Sequence, residues 1–313
     1  MIQEKNILKE LKYIYPNKTI KDLKKIKSGR KNYNFYFKIN NDKYIFRLKA
    51  DYKNAYKKSK KEYYNLIKIN KILPQNTPKI YFFKRKGKFI PFSYLIIEYI
   101  EGKEIKFNKN NVKQLAKVVS KLHLEKVKFL DRLFLTKRIY KFISEKYLLN
   151  KEKKIIKKNN CFKFITIFGD KLIKKNKIKN IVLSYIHSDI QSPNIIENNN
   201  NLFLIDIEFL EIGDRAYDLG KLFLDSNFLK YKDIFLKEYI KYTKMKNIEQ
   251  EINKYVNIQK YIWILSDLKS YVFKDNIISL KDLKKSIIKN YNALKKCNLT
   301  EDININNFLD CLK

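Results

Sequence analysis

The sequence predicts an α+β protein: a small antiparallel sheet carrying one helix, followed by a larger, mainly helical region. Two patterns set this expectation. Period-two alternation of apolar and polar residues fills much of the first hundred positions and is interrupted by one run at helical spacing. From Asn111 onward helical spacing dominates, and strand-like runs are confined to the neighbourhood of residues 181–208. At 313 residues the chain is long enough for about two lobes of ~150 residues each.

Taken in order, residues 2–13 form an amphipathic helix that stops before Pro16. Strand runs at 23–27, 33–39 and 44–48 follow, and the Asn40-Asn41-Asp42 link makes the last two a hairpin. Residues 53–72 lack proline and glycine and place Tyr56, Tyr63, Leu66 and Ile67 at helical spacing. Pro74 and Pro78 mark the exit, and strands at 79–84 and 92–98 flank a turn at Lys86-Gly87-Lys88. Residues 1–97 therefore read as one lobe, 98–102 as a connector closed by Gly102, and 103–313 as the helical lobe. In that lobe Val112, Leu115, Val118, Val119 and Leu122 share one helix face. Lys-rich helical stretches cover 132–149 and 151–176, and later helices cover 214–224, 232–242, 252–269 and 280–296.

Composition excludes several classes. Lys and Arg number 69 against 32 Asp and Glu, a formal net charge of +37. The surplus accompanies 23 Tyr, 21 Phe and much Asn and Ile, with only 6 Gly and 5 Pro, the usage an AT-rich coding sequence produces. The charge reads as solvated surface, and no specific nucleic-acid partner is expected. No apolar run approaches the ~18 residues of a membrane helix, so no membrane insertion is expected. The amino-terminal residues are charged throughout and lack a secretory apolar region, which places the chain in the cytoplasm. Cys161, Cys297 and Cys311 are odd in number and far apart, fitting neither a disulfide framework nor a close-paired metal site. Only two histidines, His123 and His187, are present, so a multi-histidine metal centre is excluded.

The residues that carry chemistry lie in His187-Ser-Asp-Ile-Gln-Ser-Pro-Asn194 and Leu204-Ile-Asp-Ile-Glu208. Asp189 and Asn194 share a polar loop that Pro193 keeps out of helix. Asp206 and Glu208 are two apart on an expected strand, which would project both from one face among Phe203, Leu204, Ile205 and Ile207. Hard oxygen acceptors gathered this way suit Mg2+, which binds through one or two carboxylates plus substrate phosphates.

The pattern H-x-D-x-x-x-x-N followed by hydrophobic-D-x-E resembles the catalytic core of the choline/ethanolamine kinase and aminoglycoside phosphotransferase family, relatives of the protein kinases. Ile212-Gly-Asp-Arg-Ala-Tyr-Asp-Leu-Gly220 is similar to the family's next stretch, including Asp218-Leu219. The resemblance implies a two-lobed protein-kinase-like fold with a small antiparallel-sheet N-lobe and a large, mainly helical C-lobe. It continues upstream, where the segment 27–35 is similar to the nucleotide-phosphate loop and offers Ser28 and Gly29; it departs from the family in having a single glycine. By the same resemblance Arg47 reaches nucleotide phosphates, Glu62 orients Arg47, and Glu98 and Ile100 meet the adenine edge from the hinge.

The implied activity is transfer of the γ-phosphate of ATP to a small alcohol, with ATP and Mg2+ as cofactors. Asp189 would take the hydroxyl proton, Asn194 and Asp206 would hold Mg2+, and Glu208 would hold a second metal or orient substrate. His187 reads as structural support for its loop. Choline kinases place a tryptophan-bearing helix over the trimethylammonium, so Trp263, with Tyr261 beside it, is either such an aromatic wall or part of an apolar core stripe. The acceptor this favours is choline or ethanolamine. An aminoglycoside, thiamine or a sugar, a basic nucleic-acid binder and an inactive kinase-like scaffold are the competing readings. The protein is expected to act as a monomer or homodimer.

Overall fold

The structure is a computed structural model and describes residues 3–26, 32–49, 54–128, 145–175, 181–273, 279–296 and 304–312. Contacts divide the chain into two compact units, one of residues 1–125, 187–211 and 231–243, the other of residues 126–186, 212–230 and 244–313. The segment 187–211, which the sequence assigns to the helical lobe, thus packs with the amino-terminal sheet.

The first unit is built on a five-stranded antiparallel sheet in the order β1-β2-β3-β5-β4. Its strands are β1 (Ile20–Ile26), β2 (Asn32–Ile39), β3 (Asp42–Lys49), β4 (Ile80–Lys84) and β5 (Tyr94–Glu98). The expected hairpin forms with Asn34 opposite Arg47 and Phe35 opposite Phe46. Period two sends Phe46 and Leu48 to the apolar face, where they join Phe35, Phe37, Tyr94 and Ile96 and are covered by Ile7 and Leu11 of α1 (Glu4–Ile14). Arg47 and Lys49 point to the other face, beneath α2 (Ala55–Ile72). That helix buries Ser59, Glu62, Leu66 and Ile69 on one stripe, so its single buried acid is delivered to the two cations.

Beyond the sheet, β6 (Lys103–Glu104) pairs with β8 (Ile195–Asn198), which pairs with β9 (Asn201–Leu204). The short β6 escaped the sequence reading because two residues carry no period. It lies so close to β8 that a Cβ on Gly102, whose φ is +132°, would sit 2.3 Å from the Glu197 carbonyl oxygen. Helix α3 (Lys109–Leu124) opens with a capping box between Asn108 and Asn111 and ends near buried His123, whose Nδ1 lies 2.8 Å from the Tyr239 hydroxyl.

The second unit is a helical core. Helices α4 (Glu145–Lys158), α5 (Ile165–Lys175), α7 (Ile248–Val272), α8 (Leu280–Lys295) and α9 (Ile305–Asp310) gather Phe162, Phe168, Tyr261, Leu265, Tyr291 and Phe308. The Lys-rich helical stretch over 151–176 is interrupted within the Lys157–Asn160 cluster, whose composition reads as a loop: the Asn159 side chain accepts from the Cys161 N–H and caps a 3-10 turn at Asn160–Phe164. A two-stranded ribbon of β7 (Leu183–Ile186) and β10 (Glu211–Asp214) leads into α6 (Arg215–Leu222).

Cys161 and Cys311 form a disulfide, which corrects the expectation that the cysteines make none. Their separation of 150 residues hid the pair in sequence. Phe162 and Leu312, each adjacent to one cysteine, sit in the same apolar cluster and bring the two thiols together. Cys297, the first part (132–144) of the helical stretch predicted over 132–149 and the phosphate-loop residues Ser28 and Gly29 lie outside the described residues. No helix among the described residues is long and apolar enough to cross a membrane.

Candidate active site

The site residues come from β3, α2 and the 187–211 segment, all within the first unit. Arg47 Nη1 donates to Glu62 Oε1 at 2.6 Å, and its Nε donates to Asn34 Oδ1 at 3.1 Å. The antiparallel register explains the second contact, since Asn34 and Arg47 are cross-strand partners. The pairing expected between Arg47 and Glu62 is therefore present. The sequence reading missed Lys49, which ion-pairs with Glu62 and lies 2.6 Å from Glu208 Oε2. Its signal was available: two residues beyond Arg47 on one strand means the same face.

Burial by itself would raise the Glu62 carboxyl, but Arg47 and Lys49 outweigh it and hold its pKa below the usual carboxylate range. Burial pulls the Arg47 guanidinium down, while Glu62 and Asp206 more than offset this and raise its pKa. The cluster is a chain of alternating charge, with Asp206 at 3.9 Å from Arg47 and Glu208 on Lys49.

The 187–194 loop is knitted to the strand that follows it. His187 Nε2 lies 2.9 Å from the Ile205 carbonyl oxygen, and the Ile205 N–H donates to the Asn194 carbonyl at 3.0 Å. His187 is fully buried, in keeping with structural support. Ser188 adopts a left-handed φ of 68° and its hydroxyl donates to Glu211 at 3.1 Å. Asp189 Oδ2 accepts from Asn194 Nδ2 at 3.0 Å and from Gln191 Nε2 at 3.2 Å. Two amide donors thus orient this carboxylate.

Asp206 and Glu208 do not share a strand, which corrects the expectation. Strand β9 ends at Leu204, Asp206 turns at φ 61°, and Ile207–Phe209 is a 3-10 turn. Two side-chain directions then follow from one turn, with Glu208 toward Lys49 and Asp206 in the neighbourhood of Arg47. Desolvation raises the Asp206 carboxyl, Glu208 and Glu62 add to it, and Arg47 opposes. Its Oδ1 is buried and makes no hydrogen bond. An orphaned carboxylate oxygen near an asparagine whose amide nitrogen is spent on Asp189 is a donor set that fits a hard divalent cation. No group of three or more His, Cys, Asp or Glu among the described residues could hold a metal without help. Mg2+ taken with substrate phosphates needs only one or two protein carboxylates.

At the expected hinge, the Glu98 N–H donates to the Lys79 carbonyl at 2.9 Å and the Tyr99 N–H to the Lys43 carbonyl at 3.0 Å. Two backbone donors are therefore committed to the sheet before Ile100 is reached. Tyr261 and Trp263 belong to the second unit. Tyr261 is fully buried, with its hydroxyl 2.6 Å from Glu152 Oε1 and 2.8 Å from the Ile165 carbonyl oxygen, so in this structure it is core and not an acceptor wall. Trp263 is half-buried, and Lys221 Nζ stands 5.3 Å from its ring centroid.

A family model described as the phosphotransferase enzyme family matches residues 22–250, which takes in Arg47, Glu62, Asp189, Asn194, Asp206 and Glu208. The chain belongs to this phosphotransferase family. A curated relative, the protein LicA homolog of Mycoplasma capricolum, is 26% identical over 171 residues, covering 54% of this chain and 66% of the relative. The alignment thus spans just under two thirds of that relative's length. Among solved structures, the streptomycin-ATP-APH(2")-IIa ternary complex has a TM-score of 0.65 at 15% identity, covering 95% of this chain and 97% of that one. A choline kinase from Cryptosporidium parvum has a TM-score of 0.61 at 18% identity, covering 89% of this chain and 91% of that one. At such identities the likeness is one of fold, and the phosphotransferase has the protein-kinase-like α+β architecture expected from its sequence.

Proposed function

We propose that this phosphotransferase is an ATP- and Mg2+-dependent kinase that phosphorylates the hydroxyl of a small alcohol, choline or ethanolamine. The observation that carries the reading is the convergence, within one unit, of the Arg47–Glu62 ion pair, the amide-held Asp189 and the orphaned Asp206 oxygen. Arg47, fixed by Glu62 and Asn34, meets phosphate oxygens with its remaining N–H groups. Asn194 and Asp206 would hold Mg2+, which supplies charge neutralisation on the phosphates. Asp189 takes the acceptor's hydroxyl proton while the acceptor oxygen bonds to the γ-phosphorus, the bond from that phosphorus to the bridging oxygen breaks, and ADP departs with the electron pair. Choline and ethanolamine are favoured over a polycation by the +37 net charge.

The test is ATP consumption with a panel of alcohols at fixed Mg2+. Choline or ethanolamine should turn over, and Asp189→Ala should lower kcat by about 10^2–10^4-fold with an unchanged melting curve. Turnover of kanamycin alone would replace the acceptor assignment, and an active Asp189→Ala would remove this residue as the base.

A further inference from the structure

Lys49 is a lysine with 2% side-chain exposure, held between two carboxylates, and the phosphoryl-transfer scheme above gives it no task. An ammonium taken this far from water persists only when its charge is met on site. Glu62 meets it from α2, and Glu208 meets it from the turn that follows Asp206. The same turn is gripped a second time. Asn65, nearly one helical turn beyond Glu62, donates its Nδ2 to the Ile207 carbonyl at 3.1 Å and to the Glu208 carbonyl at 3.2 Å. Just before these two holds the backbone turns at Asp206, whose φ of 61° is left-handed, a region uncommon for non-glycine residues and best tolerated by Asp and Asn.

We propose that Lys49 is a positioning residue. Its ammonium draws the Glu208 carboxylate onto strand β3 and, together with Asn65, sets the turn that aims Asp206, so that the divalent cation falls to Asp206 and Asn194 and Glu208 is not one of its ligands. The proposal rests on the functional reading above and refines it. Three carboxylates and two cations, Glu62, Asp206 and Glu208 against Arg47 and Lys49, leave one negative charge in the cluster. With Glu208 and Glu62 engaged by Lys49 and Arg47, that surplus resides on Asp206, the residue whose Oδ1 has no hydrogen bond.

The experiment has a ligand-free arm and a metal arm on the full chain. In the first, thermal unfolding is followed for Lys49→Met, Glu208→Gln and the double variant. Each single change should lower the midpoint, and the double variant should lose clearly less than the sum of the two, since neutralising both ends leaves no stranded charge. Additive losses would overturn the clasp. In the second arm, Mn2+ bound per chain is counted by electron paramagnetic resonance in the presence of a non-hydrolysable ATP analogue. Glu208→Gln should bind as many Mn2+ ions as the parent chain; one fewer would make Glu208 a ligand and overturn the proposal. Lys49→Met and Asn65→Ala should weaken Mn2+ affinity by about 10–100-fold, the usual cost of losing support behind a metal ligand, while affinity for the metal-free analogue stays unchanged. A parent chain that binds no Mn2+ with the analogue refutes the kinase reading by itself, and the unfolding cycle still decides the clasp.

Discussion

In the first unit Glu62 is buried between Arg47 and Lys49, whereas in the second unit Glu152 and Asp214 are buried against the phenols of Tyr261 and Tyr255. The first solution keeps the carboxylate ionised, and the cations hold its pKa down against the effect of burial. The second makes ionisation costly. Burial pushes the Glu152 carboxyl up to about 7, Asp170 adds to this, and the Tyr261 hydrogen bond only partly opposes it. Burial likewise raises Asp214, with the Ala216 N–H and Tyr255 opposing. The Tyr261 hydroxyl has one proton but two acceptors within reach, Glu152 Oε1 and the Ile165 carbonyl. Glu62 is thus held in its charged form, while Glu152 and Asp214 are pushed toward the neutral one.

The comparison breaks if the two classes of buried acid respond alike to neutralisation. Glu62→Gln removes the anion between two buried cations and should cost about 3–5 kcal/mol, read as a lower urea midpoint at pH 7. Because the Glu62 pKa is lowered on folding, its contribution is present above its ordinary value of 4.5 and fades as pH falls through the depressed folded value. Parent and variant should therefore converge in acid. Glu152→Gln should do the reverse. A raised folded pKa means the native state binds the extra proton, so the parent chain loses stability as pH rises from 4.5 to about 7, by no more than about 3 kcal/mol. The glutamine variant should flatten that slope and match or exceed the parent's melting temperature at pH 8. Tyr255→Phe is the smallest test. It removes one hydrogen bond to Asp214 at 2.9 Å and should cost about 1 kcal/mol, with no effect on the Arg47–Glu62 pair.

These contrasts also separate what was legible in the sequence from what was not. The β2–β3 hairpin and the existence of α2 could be read because each follows from a local period, two for a strand and 3.6 for a helix. The Arg47–Glu62 pair came from the resemblance to the family, and of the four apolar residues read as one face of α2 only Leu66 is in its buried stripe. Lys49 was legible in principle and was passed over, since in so lysine-rich a chain one more lysine on a strand looks like surface. Tyr261 was placed on the correct helix with its wall and core readings both open, because helical spacing does not announce which residue meets a buried acid 109 positions earlier. Asp206 and Glu208 were correctly singled out as a pair of carboxylates and wrongly set on one strand face.

What the sequence determined by itself is the set of chemical groups and their order: an α+β phosphotransferase with Asp189, Asn194 and Asp206 in two closely spaced segments. Local patterning suffices for this, since backbone geometry ties spacing to face and the motif residues lie within twenty positions of one another. The tertiary structure decided the partners. The Glu208–Lys49 pair spans 159 positions and the Cys161–Cys311 bridge 150. The turn at Asp206 is held from outside by Asn65 of α2. Charge pairing, disulfide pairing and the anchoring of the Asp206 turn all depend on which distant surfaces the cores bring together, and no periodicity in the chain encodes that.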